Sequence, residues 1–169
     1  MLFRSGAKRA ARLLTWIPGR LWSSVNPHLD NLRFSLGEKS GMITKLLDGL
    51  DHKIAHRKFE WDIAQSLWTK KHLNLFNNDQ KKILKYFHKK FESKKDEYNQ
   101  LRKSIIHNDI NDNNIIVSED LINPFVQSIF DFGDAINTQI INEVGTACAY
   151  AIMNQNDPLD AALPILSGY

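Results

Sequence analysis

The stretch Ser104 to Ser118, "SIIHNDINDNNIIVS", limits the fold more tightly than any other part of the chain. Ile105-Ile106 and Ile115-Ile116-Val117 are β-branched runs that suit buried strands. Between them lie eight residues that include one His, two Asp and four Asn. A chain that buries both flanks must satisfy all of that hydrogen-bonding capacity in one place. Three readings compete: a polar turn, a calcium loop, or a catalytic loop that handles phosphate and metal.

The calcium reading begins well, because Asp109, Asn111 and Asn113 occupy alternate positions of a D-x-N-x-N pattern. It fails at Asn114, where the sharp turn requires Gly, and at Asp120, where a bidentate Glu is required. The flanks also suit strands rather than helices. A polar turn accounts for Asn and Asp, which bond locally and tolerate left-handed backbone. It leaves unexplained a second acidic cluster, "SIFDFGDA", in which Asp131 directly follows an apolar strand. Asn114 and Asp131 offer hard oxygen atoms, the kind Mg2+ accepts beside phosphate oxygens and water. Asp109 stands five residues before Asn114, within reach of a substrate hydroxyl.

The remaining sequence frames this loop with helices. Leu13 to Ile17 reads as a short strand closed by Pro18-Gly19. A helix starts at Asn26-Pro27, with Leu29, Leu32, Leu36, Ile43 and Leu47 on one face, although Gly37 and Gly41 weaken it. "HRKFEWDIAQSLWTKK" reads as a second amphipathic helix through Phe59, Ile63 and Leu67. Asp79, or Asn78 before it, caps a third helix to about Tyr98, with Ile83, Phe87 and Phe91 as its apolar stripe. Strands are expected at about 104–107, 114–117 and 126–131, then helices at about 139–154 and from Asp157-Pro158. The fold class is α+β and mostly helical.

Composition sets the outer limits. The 169 residues suffice for one domain with a core. With 22 basic and 19 acidic side chains, the net charge of +3 names no polyanionic partner. Seven lysines between Lys81 and Lys95 invite a nucleic-acid reading, but they alternate with apolar residues and acids, as a solvated helix face does. The expectation is no nucleic-acid partner. No apolar run approaches the roughly 20 residues of a bilayer span, so no membrane partner is expected. The single cysteine, Cys148, precludes an intrachain disulfide and sits in apolar "GTACAYAIM" as a small core residue. A cytoplasmic location follows. The first 20 residues, with five basic side chains and no acid, raise a mitochondrial transit peptide as the alternative.

His107, Asp109 and Asn114 form H-x-D-x-x-x-x-N, and Asp131 to Gly133 form D-F-G. Together these resemble the paired signature of kinase-like phosphotransferases. "HNDINDNN" lacks the Arg of the protein-kinase loop and is similar to the H-G-D-x-x-x-x-N loop of the aminoglycoside phosphotransferase and choline kinase-like superfamily. "HNDINDNNIIV", "IFDFGDAINTQIINEVGTACAYAI" and "LDGLDHKIAHRKFEWDI" together resemble its hydroxylysine kinase branch, whose modules also occur fused to class III aminotransferases. The likeness runs from about Arg12 to Tyr169, with residues 1–11 unassigned.

The resemblance implies the carboxy-terminal lobe of a protein-kinase-like fold, with a small β-structure carrying the catalytic loop and the DFG segment. It implies Asp109 as the base that orients the acceptor hydroxyl, and Asn114 and Asp131 as ligands of Mg2+ and, through it, of ATP or GTP. His107 is implied to hold the loop by hydrogen bonds. Asp134, Asp112 and Asn111 read as supporting or local hydrogen-bonding residues, and Glu143 as an internal salt bridge or cap. Asn108 replaces the family's Gly, a mild departure because Asn tolerates left-handed backbone.

A complete enzyme of this kind has an amino-terminal lobe with a loop over the phosphates, a strand lysine and a helix glutamate. The eight glycines form neither a G-x-G-x-x-G nor a Walker A loop. The chain therefore reads as 12–169 of a lobe truncated at both ends, missing its partner lobe and of little or no turnover alone. Its expected partner is a small-molecule hydroxyl substrate, namely an amino alcohol or hydroxy amino acid such as hydroxylysine. Homoserine, choline and aminoglycoside are the alternatives. For a cationic acceptor, Asp51, Asp62, Asp134 and Glu143 are the candidate acidic contacts. The competing class is a non-catalytic pseudokinase that keeps the fold as a scaffold.

Overall fold

The β-branched runs beside the polar loop form strands, but the strands divide between two small antiparallel sheets. The computed structural model describes residues 13–169. The unassigned N-terminal segment and most of the stretch read for a transit peptide lie outside the described residues. The strands are β1 (Arg20–Leu21), β2 (Lys103–Ile106), β3 (Ile115–Val117), β4 (Val126–Ile129) and β5 (Ile136–Gln139). The helices are α1 (Asp30–Leu47), α2 (Asn78–Ser93), α3 (Lys95–Asn99), α4 (Ile141–Ala151) and α5 (Pro158–Gly168). One sheet runs β1-β3-β4 and the other is the β2-β5 pair. The architecture is α+β with helix dominant, as expected.

Helices pack around the three-stranded sheet to make the core. Leu32, Leu36 and Ile43 of α1 meet Ile115, Val117, Val126 and Ile129 of the sheet, with Val144 and Ala147 of α4 and Ile165 of α5. Ile110 belongs to the same cluster and is fully buried, although it lies inside the polar loop. That one apolar side chain pins the middle of the loop to the core, since withdrawing it would expose its whole area to water. Gly37 and Gly41 do not break α1. A methyl group on Gly37 would sit 2.1 Å from the Ile165 carbonyl oxygen, so glycine is what lets α5 lie directly on α1. Cys148 packs partly buried against the core, and burial raises its thiol pKa, in keeping with a structural residue.

Several expected elements differ. Leu13 to Ile17 is irregular, and the strand forms later, where Arg20 pairs with Val117 and Leu21 with Ile116. The α1 helix begins at Asp30, not at Asn26-Pro27, and Leu29 is half-exposed. The second helix is a long 3-10 run, Ile63–Leu75, preceded by a separate 3-10 turn at Lys53–His56. Its residues are at most partly buried. The cap of α2 is Asn77, whose side chain accepts from Asp79 and Gln80 while Gln80 returns a bond to its backbone. The helix also breaks at Lys94. Its expected stripe is rotated: Ile83 and Phe87 are exposed, and Leu84, His88 and Phe91 face inward. His88 bonds Thr69, and Lys70 pairs with Glu92, which fixes that rotation. The sequence reading missed β5, whose "INTQ" lacks an apolar alternation.

Asp62 joins the 3-10 run to the rest. It is buried, and its Oδ1 accepts from Ala64 N at 3.0 Å and Thr138 Oγ1 at 2.9 Å. Asn142 of α4 approaches the same oxygen at 3.4 Å. Asp62→Ala leaves these donors buried without their acceptor, and is expected to cost about 2–3 kcal/mol in chemical denaturation. A loss below about 0.5 kcal/mol would show that this junction does not hold the segment in place.

Candidate active site

Two backbone amides at the end of β2 point at one side chain. Glu143, in the first turn of α4, accepts His107 N at 2.8 Å on one oxygen and Asn108 N at 2.9 Å on the other. These bonds turn the chain sharply, with Asn108 in the left-handed region at φ 68°. Asn adopts that conformation at lower cost than most residues, which accounts for its presence there. Glu143 is thus an internal anchor, as expected, but through amides rather than a salt bridge.

His107 ties the loop to the DFG segment. Its Nδ1 accepts from Asp109 N at 3.2 Å, so its Nε2 carries the proton and donates to the Phe130 carbonyl at 2.9 Å. Burial pushes its pKa below the ordinary histidine range. The bond to Phe130 and the charges of Asp109, Asp131 and Asp134 oppose that shift. Three carboxylates therefore surround one neutral imidazole. Asp109 follows β2 of one sheet, whereas Asp131 follows β4 of the other, next to the start of β3 where Asn114 lies.

Asp109 is held rigidly. Asn111 Nδ2 donates to its Oδ1 and Asn114 Nδ2 to its Oδ2, each at 2.8 Å, and Asn114 also reaches its carbonyl at 3.0 Å. The nearest function of Asn111 is therefore to orient Asp109. Asn114 precedes β3 and its carbonyl accepts Phe130 N, which sets it beside the end of β4, where Asp131 begins the turn. Among the described residues, Asn114 Oδ1 accepts no hydrogen bond. Asp131 is exposed in the left-handed region at φ 65°, with Oδ1 accepting Gly133 N at 3.2 Å. One amide oxygen and one exposed carboxylate are hard donors that suit a divalent cation.

A cleft of about 260 Å³ opens at this point, lined by Trp61, Asn108, Asp109, Asp134, Thr146 and Tyr150. Sequence reasoning missed Trp61, Thr146 and Tyr150, whose positions in helical patterns suggested packing. It also missed Arg57, which donates to the Gly133 carbonyl at 3.0 Å. Of the acidic residues considered for a cationic acceptor, Asp134 alone lines the cleft with Asp109. Asp51 is exposed and paired with His56, which lowers its pKa, while Asp62 and Glu143 are committed internally.

A model of the phosphotransferase enzyme family matches residues 4–166. The chain belongs to that family. It is 27% identical over 175 residues to a protein named hydroxylysine kinase from Xenopus laevis. That match covers 96% of this chain and 46% of the relative. It is 25% identical to the hydroxylysine kinase of Mus musculus and 28% identical to that of Bos taurus, covering 98% and 94% of this chain, and 47% and 45% of those relatives. The chain thus spans about half the length of the curated relatives it matches. Membership in the family implies a nucleotide donor and, typically, a divalent metal. No helix among the described residues is long and apolar enough to cross a membrane.

The anchor of the polar loop is sensitive to pH. Burial pushes Glu143 up to about 7, against the pull of its two N–H bonds. A carboxyl whose folded pKa is raised stabilises the fold fully below its unfolded value of 4.5, and the contribution is lost as pH rises through about 7. The stability difference between wild type and Glu143→Gln is expected to fall across that window by on the order of 3 kcal/mol. Denaturation at a series of pH values measures it, and a flat or rising difference contradicts the assignment.

Proposed function

We propose that this chain acts in transferring the γ-phosphoryl group of ATP or GTP to a hydroxyl of an amino alcohol or hydroxy amino acid, with hydroxylysine as acceptor. The observation that carries the reading is the double grip of Asn111 and Asn114 on Asp109 at the cleft wall. A base that is immobile before the substrate arrives contributes by alignment, and alignment is the main protein contribution to phosphoryl transfer. The names of the curated relatives support the acceptor.

On this reading Asp109 orients the acceptor hydroxyl and takes its proton. The acceptor oxygen forms the new bond to phosphorus as the bond to the departing diphosphate breaks. Asn114 and Asp131 would hold Mg2+, which when bound neutralises charge on the phosphates. His107, neutral and bonded at both nitrogens, keeps the base and the DFG segment in register. Asp134 stands free in the cleft. Residues 12–169 act as the lobe that carries base, metal donors and acceptor pocket. The glycines of the sequence form neither a G-x-G-x-x-G nor a Walker A loop over the phosphates, so turnover by the chain alone is expected to be low.

Calorimetric titration with ATP tests the metal assignment. Binding should require Mg2+ and weaken about tenfold or more in Asp131→Asn, the loss of a charge-assisted contact. Asp109→Asn should leave it within about threefold while lowering any transfer of labelled γ-phosphate to 5-hydroxylysine by about 10²–10⁴-fold. Nucleotide binding that is indifferent to Mg2+ and to Asp131 would overturn the reading.

A further inference from the structure

The lysines between Lys81 and Lys95 read from the sequence as a solvated helix face, and part of the stretch behaves that way. Lys82 pairs with Asp79, Lys94 with Glu97, and Lys90 lies over the Tyr86 ring. Lys85 and Lys89 differ. Among the described residues neither side chain makes an ion pair or a hydrogen bond. They stand four residues apart on one face of α2, where like charges repel each other.

That face borders a pocket of about 270 Å³ where α2 meets the 3-10 run Ile63–Leu75. Its walls are Lys70, Leu73, Lys85, His88, Lys89 and Glu92, and it shares no lining residue with the cleft at Asp109. Lys70 and Glu92 neutralise each other as an ion pair. Three lysines against one glutamate leave a formal charge of +2 in the pocket, and it belongs to Lys85 and Lys89.

His88 carries an independent sign of a missing partner. The Thr69 hydroxyl donates to the Ser66 carbonyl at 2.7 Å, so toward His88 it accepts, taking the Nε2–H at 2.8 Å. Nδ1 is then the acceptor of the neutral ring, and it is buried with nothing bonded to it. Buried groups left unpaired in this way are few in folded proteins. The pocket thus combines two unopposed positive charges with one unused hydrogen-bond acceptor.

We propose that this pocket is a second ligand site, which binds inorganic phosphate as its dianion. That ion carries two negative charges and one O–H. The charges meet Lys85 and Lys89, and the O–H donates to His88 Nδ1. A lysine ammonium is a point charge with three donors on a flexible stem, so both can close on the oxygens of one tetrahedral anion. Sulfate has the same shape and charge but no O–H, and its lone pairs would face that of Nδ1. The dianion of a phosphate ester lacks the O–H as well. The site lies apart from Asp109, Asn114 and Asp131, and the inference does not rest on the phosphoryl-transfer reading.

The test is an NMR titration of the 169-residue chain with inorganic phosphate, at constant ionic strength, without divalent cations, and at a pH where the dianion dominates. Amides of residues 69–73 and 85–92 should shift together and saturate at roughly millimolar phosphate. Lys85→Gln and Lys89→Gln, both at exposed positions, should each weaken binding about three- to tenfold, and the double variant more than either. Sulfate and methyl phosphate should each bind wild type at least about fivefold more weakly than phosphate. Those two arms need no variant to fold.

Shifts that grow linearly without saturation overturn the inference, as does an affinity that survives in the double variant. Sulfate or methyl phosphate binding as tightly as phosphate removes the role of His88 and overturns it too. An oligonucleotide that binds along α2 while phosphate does not saturate would assign these lysines to a polyanion instead.

Discussion

Glu143 is buried completely, and both of its oxygens are engaged by the amides of His107 and Asn108. Everything in the cleft depends on that exchange. Without an internal acceptor those two N–H groups would be stranded at the end of β2, where water does not reach. With it, the chain turns sharply enough to return Ile110 to the core two residues later. The polar loop is consequently fastened at its entry by a carboxylate, at its middle by an isoleucine, and at its exit by Asn114.

A second consequence is that the loop and the DFG segment are tied together. His107 spans them, bonding Asp109 on one side and Phe130 on the other, and its ring meets Phe132 with centroids 4.5 Å apart. Burial keeps the imidazole neutral, which is the only state in which Nδ1 can accept the Asp109 amide. The arrangement stores local cost in exchange for position. Asn108 and Asp131 are both left-handed, and one carboxylate is held in a dry site. Such costs gather where geometry must be fixed before a ligand arrives.

The sequence made the loop legible because its chemistry is local. Asp109, Asn114 and Asp131 announce themselves by type and by the strands beside them, and the strands at 103–106, 115–117 and 126–129 fall close to their expected places. The cleft wall was hidden for the opposite reason. Trp61 and Tyr150 sit 47 and 42 residues from Asn108, and each lies in a segment whose apolar spacing argued for packing alone. The α2 stripe was misplaced because Ile83 and Phe87 repeat as cleanly as Leu84, His88 and Phe91. The bond from His88 to Thr69 and the Lys70–Glu92 pair decide between the faces. Asp62 stands among four candidate acidic contacts in the sequence because charge alone does not reveal that Thr138 and Asn142 bond it.

The account turns on two chain segments meeting around one divalent cation. Paramagnetic broadening of backbone amides by Mn2+ in the presence of ATP tests this directly. The account predicts that residues 108–114 and 131–134 broaden together at the lowest Mn2+ concentrations, ahead of the rest of the described chain. Broadening confined to one of the two segments, or centred on α2, would contradict it.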